Sequence, residues 1–450
     1  MSTGSTLRSL AEHVGAVLAR VEPLPAQEAA LADLALEPPG RTLGADVRAA
    51  ALVPPFDAAA MDGYAVRLAD LPADGAPATL RVVGDRRPGS PVAAEPVGAV
   101  RIMTGAPVPA WADAVVPVER TSTGRFVAGG PTSELEVTLA RQDRAHVRRR
   151  GEDVRPGDLL GRAGDAVTPA LVAVAASAGL ATLPVRRRPR VAVLSTGSEL
   201  VATGTPVSPG RIPDSNSLLL ASLARAAGAD VVRVGAVPDD AEALRATLDS
   251  VVSGRSAHQT STDGATLPRT APEGALGLDL LVTTGGVSAG ASDVVRAVLD
   301  AADERLSDVD VAAVALRPGR PQALARWRGV PWVALPGNPV SAFVSFALFV
   351  GPAVAVLAGR EPRRAVPRPA AGAWPSPPGR THVVPVRTLP SGEVERAVAP
   401  ADERRGAVGG HATSTLLGAD GLALVPPDIE KVEAGDLVDV LPLDLPFGLH

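Results

Sequence analysis

Leu280-Leu281-Val282-Thr283-Thr284-Gly285-Gly286-Val287-Ser288-Ala289-Gly290 is the stretch that decides the fold. An apolar run stops at a pair of glycines, and a helical period follows over Ser292 to Ala302. That sequence reads as a buried strand passing through a tight loop into a helix. The device occurs twice more. Val191 to Leu194 runs into Ser195-Thr196-Gly197-Ser198-Glu199, and Trp332 to Leu335 runs into Pro336-Gly337-Asn338-Pro339-Val340-Ser341. Around these lie a helix near Ser217 to Ala227, a strand at Val231 to Val234, a helix near Ala241 to Val252 and an apolar helix after Pro339. Strands alternating with helices predict a doubly wound parallel sheet.

In such a sheet the three loops share the carboxyl edge, where ligands bind. Glycine lets the backbone approach a ligand closely, and free N–H groups at a helix start favour phosphate. Pro339 suits a first helical position. The candidate binding set is therefore Ser195, Gly197, Gly285, Gly286, Ser288, Pro336, Asn338 and Pro339. The same edge should carry Glu199, Asp239, Asp240 and Asp293. Carboxylates beside a phosphate cradle repel the ligand unless a divalent cation bridges them, which points to Mg2+. On the residues alone, Asp293 reads equally well as a helix cap.

The rest of the chain organises around this core. Leu10, Val14, Val17, Leu18 and Val21 form an amphipathic stripe broken by Glu12, His13 and Arg20, which predicts a docking helix over 1–24 rather than a secretory signal. Short valine-rich runs bounded by Gly and Pro predict a β-rich inserted domain over 49–157. A mixed linker domain is expected from 25–48 and 158–186. The α/β domain should span 187–362, with a Ser/Thr/Gly/Pro-rich surface insertion at 253–277. Arg360 to Arg380 reads as a linker, and 363–450 as a small β-barrel domain. Pro339 to Gly359 carries no charge and is long enough to span a membrane. Pro352 and the preceding Gly-Asn-Pro turn argue instead for a buried helix.

Composition excludes several functions. The chain of 450 residues has no cysteine, so disulfides, thiolate zinc sites and cysteine nucleophiles are out. Its net charge of −5 offers no field for nucleic acid. Aromatic residues are 2% of the chain, so the cores must be built from Ala, Val and Leu. Lys431 is the only lysine, which leaves anion contacts to arginine. The run Arg148-Arg149-Arg150 beside Glu152 and Asp153 reads as a solvated face. In the β-rich segment, Asp62 in Ala60-Met61-Asp62-Gly63-Tyr64-Ala65 and Thr104 in Arg101-Ile102-Met103-Thr104-Gly105-Ala106-Pro107 can each, on the residues alone, be a turn satisfied by its own side chain, the commoner role for Asp and Thr.

Those two segments, with Asp113-Ala114-Val115-Val116, Glu119 and Arg150-Gly151-Glu152-Asp153, resemble the N-terminal part of the molybdopterin molybdenumtransferases. Ser195 to Leu200, Asp214-Ser215-Asn216, Asp239-Asp240, Gly285 to Asp293, Arg317-Pro318-Gly319-Arg320-Pro321 and Pro336 to Ser341 are similar to the family's molybdopterin-binding domain. The resemblance covers essentially the whole chain. It implies a cytoplasmic homodimer in which the molybdopterin-binding domain of one subunit faces the β-rich domain of the other. It also implies that adenylated molybdopterin and molybdate are the substrates, with Mg2+, and that AMP and finished cofactor are the products. Asp62, Thr104, Glu199, Asp239 and Asp293 take the catalytic positions, with Glu199, Asp239, Asp240 and Asp293 at the metal and Arg317 and Arg320 near phosphate and oxyanion. The partners implied are a molybdopterin-adenylating protein and cofactor-receiving apoenzymes, with no nucleic acid and no membrane.

Three departures fall on the expected molybdate pocket. Ala313 stands where members carry a lysine, Gly409-Gly410-His411 replaces a Gly-Ser-His turn, and the preceding arginine corresponds to His382 or a shifted Arg380. They motivate an alternative, a binding-only or scaffold paralogue. A clustered set of acids, costly to hold together, speaks for the enzyme. The preceding adenylyl transfer is disfavoured because stand-alone adenylating proteins lack both β domains.

Overall fold

The first helix, α1 (Leu10–Leu18), begins with a reciprocal cap. The Ser9 hydroxyl accepts from the Glu12 N–H at 3.2 Å, and the Glu12 carboxylate accepts from the Ser9 N–H at 2.9 Å. The computed structural model describes residues 7–89, 94–127, 134–254, 277–288, 293–397 and 413–443. Helix α1 docks on the α/β core through Leu10, Val14 and Val17. Arg8 anchors it with two bonds of 2.8 Å to Asp310. One expectation is corrected: His13, read as a break in the apolar stripe, is wholly buried, its ring edge-on to Phe349 with centroids 4.7 Å apart.

Next, Ala26–Ala30 pairs antiparallel with Thr182–Arg186, and Leu31 and Leu34 pack against Leu171 and Ala175 of the helix Pro169–Ser177. The chain thus returns to its starting layer after the β-rich insert. That insert holds a five-stranded sheet ordered Ala114–Pro117, Gly63–Val66, Ala99–Ile102, Ala78–Arg86, Glu136–Leu139. Gly63 permits its central contact, since a Cβ there would stand 2.0 Å from the Val116 carbonyl oxygen. Tyr64 is fully buried and donates to Glu134 at 2.7 Å. The arginine run is solvated and ion-paired as expected, with Arg149 on Asp57 at 2.8 Å and Arg148 on Glu152 at 3.5 Å.

The α/β domain runs β1 (Arg190–Thr196), α2 (Asn216–Ala226), β2 (Asp230–Val237), α3 (Ala241–Val252), β3 (Leu280–Thr284), α4 (Val294–Leu299), β4 (Leu306–Ala313), β5 (Leu316–Arg317), β6 (Pro321–Trp327), β7 (Val330–Leu335), α5 (Pro339–Ser345) and α6 (Gly351–Leu357). Its sheet is ordered β2-β1-β3-β7-β6-β4. Helices α1, α2, α5 and α6 cover one face, and α3 and α4 the other. The doubly wound reading holds for the four parallel strands, but the sheet is mixed, because β6 and β4 extend it antiparallel. A second correction concerns the first loop. Between Glu199 and α2 the chain makes a short parallel pair, Leu200–Val201 with Ile212–Pro213, instead of entering the helix directly. The apolar segment after Pro339 is a core helix of α5, a π turn at Phe346–Val350 and α6, buried against β1, β3 and β7.

The last sheet is ordered β5-β9-β11-β12-β8, from β8 (Val366–Pro369), β9 (Thr381–Thr388), β10 (Val394–Arg396), β11 (Gly421–Val425) and β12 (Leu437–Pro442), with β10 beside β9. The segment expected to be a linker therefore supplies a strand. Its prolines are tolerated because β8 bonds to β12 alone, and an edge strand can lack donors. The strands enclose Trp374, Val384, Val386, Ala423, Val438 and Val440. Most of the insertion at 253–277, together with Ala289-Gly290 and Gly409-Gly410-His411, lies outside the described residues.

Candidate functional site

Strands β1, β3 and β7 end side by side, and their loops open on one cavity of about 330 Å³. Side-chain bonds tie the loops together. Thr284, the last residue of β3, donates to the Pro336 carbonyl at 2.7 Å, and Asn216 donates to Thr284 at 3.2 Å and to the Gly337 carbonyl at 2.6 Å. Ser195 donates to the buried Asp214 at 2.8 Å, which fixes the turn into α2. Gly285 has φ of +94° and its N–H bonds to Leu335 at 3.0 Å. A Cβ there would sit 2.5 Å from the Thr196 carbonyl oxygen. Asn338 caps α5 by accepting from Val340 and Ser341 at 3.0 and 3.3 Å, so Pro339 occupies the first turn as expected.

Of the residues read from the sequence, Gly197, Glu199, Asp239, Gly285, Gly286, Asp293 and Pro339 line this cavity. Ser195, Ser288, Pro336 and Asn338 stand behind it as supports. Ser288 donates to Asp293 at 2.9 Å. Asp239 accepts from the Ser198 N–H at 2.9 Å and returns its own N–H to the Ser198 hydroxyl at 3.0 Å. Asp240 does not line the cavity, because its carboxylate caps α3 by accepting from the Ala243 N–H at 2.7 Å. Sequence reasoning left Thr196, Asn216 and Thr284 out of the set, although strand-final threonines before glycine loops were visible. Thr196 Oγ1 and Asn216 Oδ1 are buried here without a partner among the described residues.

Glu199, Asp239 and Asp293 give the cavity hard oxygen donors, the set Mg2+ prefers. Among the described residues, no three Asp, Glu or His stand close enough to hold an ion by themselves. Such an arrangement suits a cation that keeps waters and completes its shell with substrate phosphate.

A second cavity, of about 210 Å³, lies where the α/β domain meets the last sheet. Arg317, Pro318, Val340, His382 and Arg396 line it. Its position follows from β5, which pairs parallel with β9 so that Arg317 stands opposite His382. Burial pushes the His382 ring down to about 4, and the Arg317 and Arg396 charges reinforce the shift, so it stands neutral at pH 7. Val340 follows directly on Pro339, so the first turn of α5 separates the two cavities. Neither Arg320 nor Ala313 lines either of them. Ala313 instead ends β4, its carbonyl accepting from Arg8 at 2.9 Å.

Asp62 and Thr104 meet each other, with Asp62 Oδ1 accepting from the Thr104 N–H and hydroxyl, both at 2.7 Å. Both are exposed, and no residue of the β-rich sheet lines the acidic cavity. Within one chain the structure does not bring this pair to Glu199, Asp239 and Asp293.

Three family profiles match the chain: the MoeA N-terminal region (domains I and II) over residues 8–179, a probable molybdopterin binding domain over 192–356, and the MoeA C-terminal region (domain IV) over 367–443. Molybdopterin molybdenumtransferase 2 of Mycobacterium tuberculosis is 39% identical over 417 residues, covering 89% of this chain and 92% of the relative. The molybdopterin molybdenumtransferase of Haemophilus influenzae is 31% identical over 431 residues, covering 92% and 93%. The crystal structure of the molybdopterin biosynthesis MoeA protein from Pyrococcus horikoshii superposes with a TM-score of 0.72 at 26% identity, covering 98% of this chain and all of the other.

Proposed function

The chain belongs to the molybdopterin molybdenumtransferase family, and from that premise we propose that it loads molybdate into adenylated molybdopterin, releasing AMP and the finished cofactor. The observation that carries this reading is the convergence of Glu199, Asp239 and Asp293 on glycine loops that can cradle a phosphate. Gly285, Gly286 and Gly337 let the loop backbone come close to the phosphate oxygens. Glu199, Asp239 and Asp293 would hold Mg2+, whose contribution when bound is to neutralise charge developing on the phosphoanhydride. Thr196 and Asn216 offer unused polar atoms for orienting the ligand. Across the first turn of α5, the basic cavity receives the inorganic oxyanion beside the pterin site.

The reading extends to a homodimer in which Asp62 and Thr104 of one copy complete the acidic cavity of the other. The pterin would come from a molybdopterin-adenylating protein and pass on to apoenzymes in the cytoplasm, with no role for nucleic acid or membrane.

The test is AMP release from adenylated molybdopterin by the purified protein with Mg2+, with and without molybdate. Molybdate-stimulated release is the expected result, whereas tight pterin binding without release would make the protein a binding-only paralogue. Asp293→Ala and Asp62→Asn should keep the fold and lower the rate by roughly 100-fold or more, the scale of losing one preorganised electrostatic partner. Full activity in either variant removes that residue from the site.

A further inference from the structure

We propose that Arg396 is a specificity-determining residue for the inorganic oxyanion, forming with Arg317 a two-guanidinium clamp across the second cavity. The inference rests on reading that cavity as the place where molybdate binds.

The geometry is that of a notch in a sheet edge. Strand β9 has β11 along one side for residues 382–386. On its other side β5 covers only Thr381 and His382, and β10 only Val386 to Thr388. Arg317 stands opposite His382, and Arg396 stands opposite Val386. The two arginines therefore flank the uncovered stretch from its ends, about 13 Å apart along the strand. Pro318 and Val340 close the notch on the side of the α/β domain.

The charge pattern is equally specific. Among the described residues, no acidic side chain lines the cavity. Neither Arg317 nor Arg396 has a carboxylate partner among the described residues, while Arg387, on the neighbouring register of β9, is paired with Glu395. Both arginines are exposed, and an anion seated in the cavity they line is attracted by both charges. Guanidinium forks present paired donors suited to a tetrahedral oxyanion, and His382 adds a ring nitrogen, Nδ1, that is buried and unbonded. A volume of about 210 Å³ lies below the usual range for organic ligand pockets, which selects a small inorganic anion. Arg396 comes from a different segment than the Arg317 to Pro321 motif, and nothing in its local sequence marks it.

The experiment is calorimetric titration of the full-length protein, without pterin, using molybdate, sulfate and phosphate in separate arms. The unsubstituted protein should prefer molybdate. Arg396→Gln should weaken molybdate binding roughly 10- to 100-fold, the equivalent of one lost charged hydrogen bond, and Arg396→Lys should weaken it less. Unchanged affinity in Arg396→Gln alongside lost affinity in Arg317→Gln overturns the role of Arg396 while leaving the cavity as the molybdate site. Unchanged affinity in both variants overturns the reading of the cavity itself. Equal affinity for all three anions overturns the specificity claim.

Discussion

His13 shows how one side chain sets a pH response. Burial, and then the charge of Arg8, lower its pKa from 6.5 to about 4. The folded protein therefore holds the ring neutral, whereas the unfolded chain takes up a proton below 6.5. The stability is fully present above pH 6.5 and is lost as the pH falls toward 4, by up to about 3 kcal/mol. His13→Leu, which keeps an apolar contact with Phe349, should flatten that decline in urea unfolding midpoints measured across the window. An unchanged slope would exclude His13 as its source. His382 titrates in the same window, so the substitution reduces the slope without removing it. From the sequence His13 was only an interruption in an apolar stripe, because a neutral buried imidazole and a charged exposed one are spelled by the same letter.

At the scale of the element, the loop after β3 depends on a backbone that only glycine adopts freely. Gly285 combines a left-handed φ with a Cβ position blocked by Thr196. Gly329 has a similar φ of +81° but open space around it. Gly329→Ala should cost only the conformational strain, on the order of 1 to 2 kcal/mol. Gly285→Ala should cost more, and should also displace β1's end and depress AMP release. Thermal unfolding of the two variants makes the comparison, and equal losses would show that the Thr196 contact is not limiting. The parallel strands and their loops were legible because apolar runs end abruptly at small residues. The β4–β6 hairpin was missed because Asp308 and Asp310, on an edge strand half-open to water, dilute the apolar signal. Strand β8 was missed because its prolines look like a linker unless the strand is known to lie at an edge. Asp240 shows the converse limit, since adjacent acids after a strand look alike in sequence, yet one caps a helix and the other faces the cavity.

Across the whole molecule, the reading from the sequence found both halves of the candidate site but could not join them. Asp62 and Thr104 sit in turns beside a sheet that contributes nothing to the acidic cavity of its own chain. If a second copy supplies them, two inactive proteins can complement. Mixing Asp62→Asn with Glu199→Gln chains under conditions that exchange subunits should restore about a quarter of the unsubstituted rate. Random pairing makes about half the dimers mixed, each with one intact site of two. No recovery after demonstrated exchange would overturn a site shared between Asp62 of one copy and Glu199 of the other. Spacing alone could not show this, because adjacency across a two-fold axis leaves no trace in the order of residues.

Strand β5 is a loan. The α/β layer hands two residues, Leu316 and Arg317, to the rim of a sheet otherwise made from the chain's last 85 or so residues. A transplant of the terminal module cut at Arg360 would leave the loan behind, and the bare rim of β9 would be free to recruit strands from other molecules. Anyone recombining such chains should treat residues 314–321 as cargo that travels with the tail, and should expect the seam between the two layers to be a fixed joint rather than a swivel.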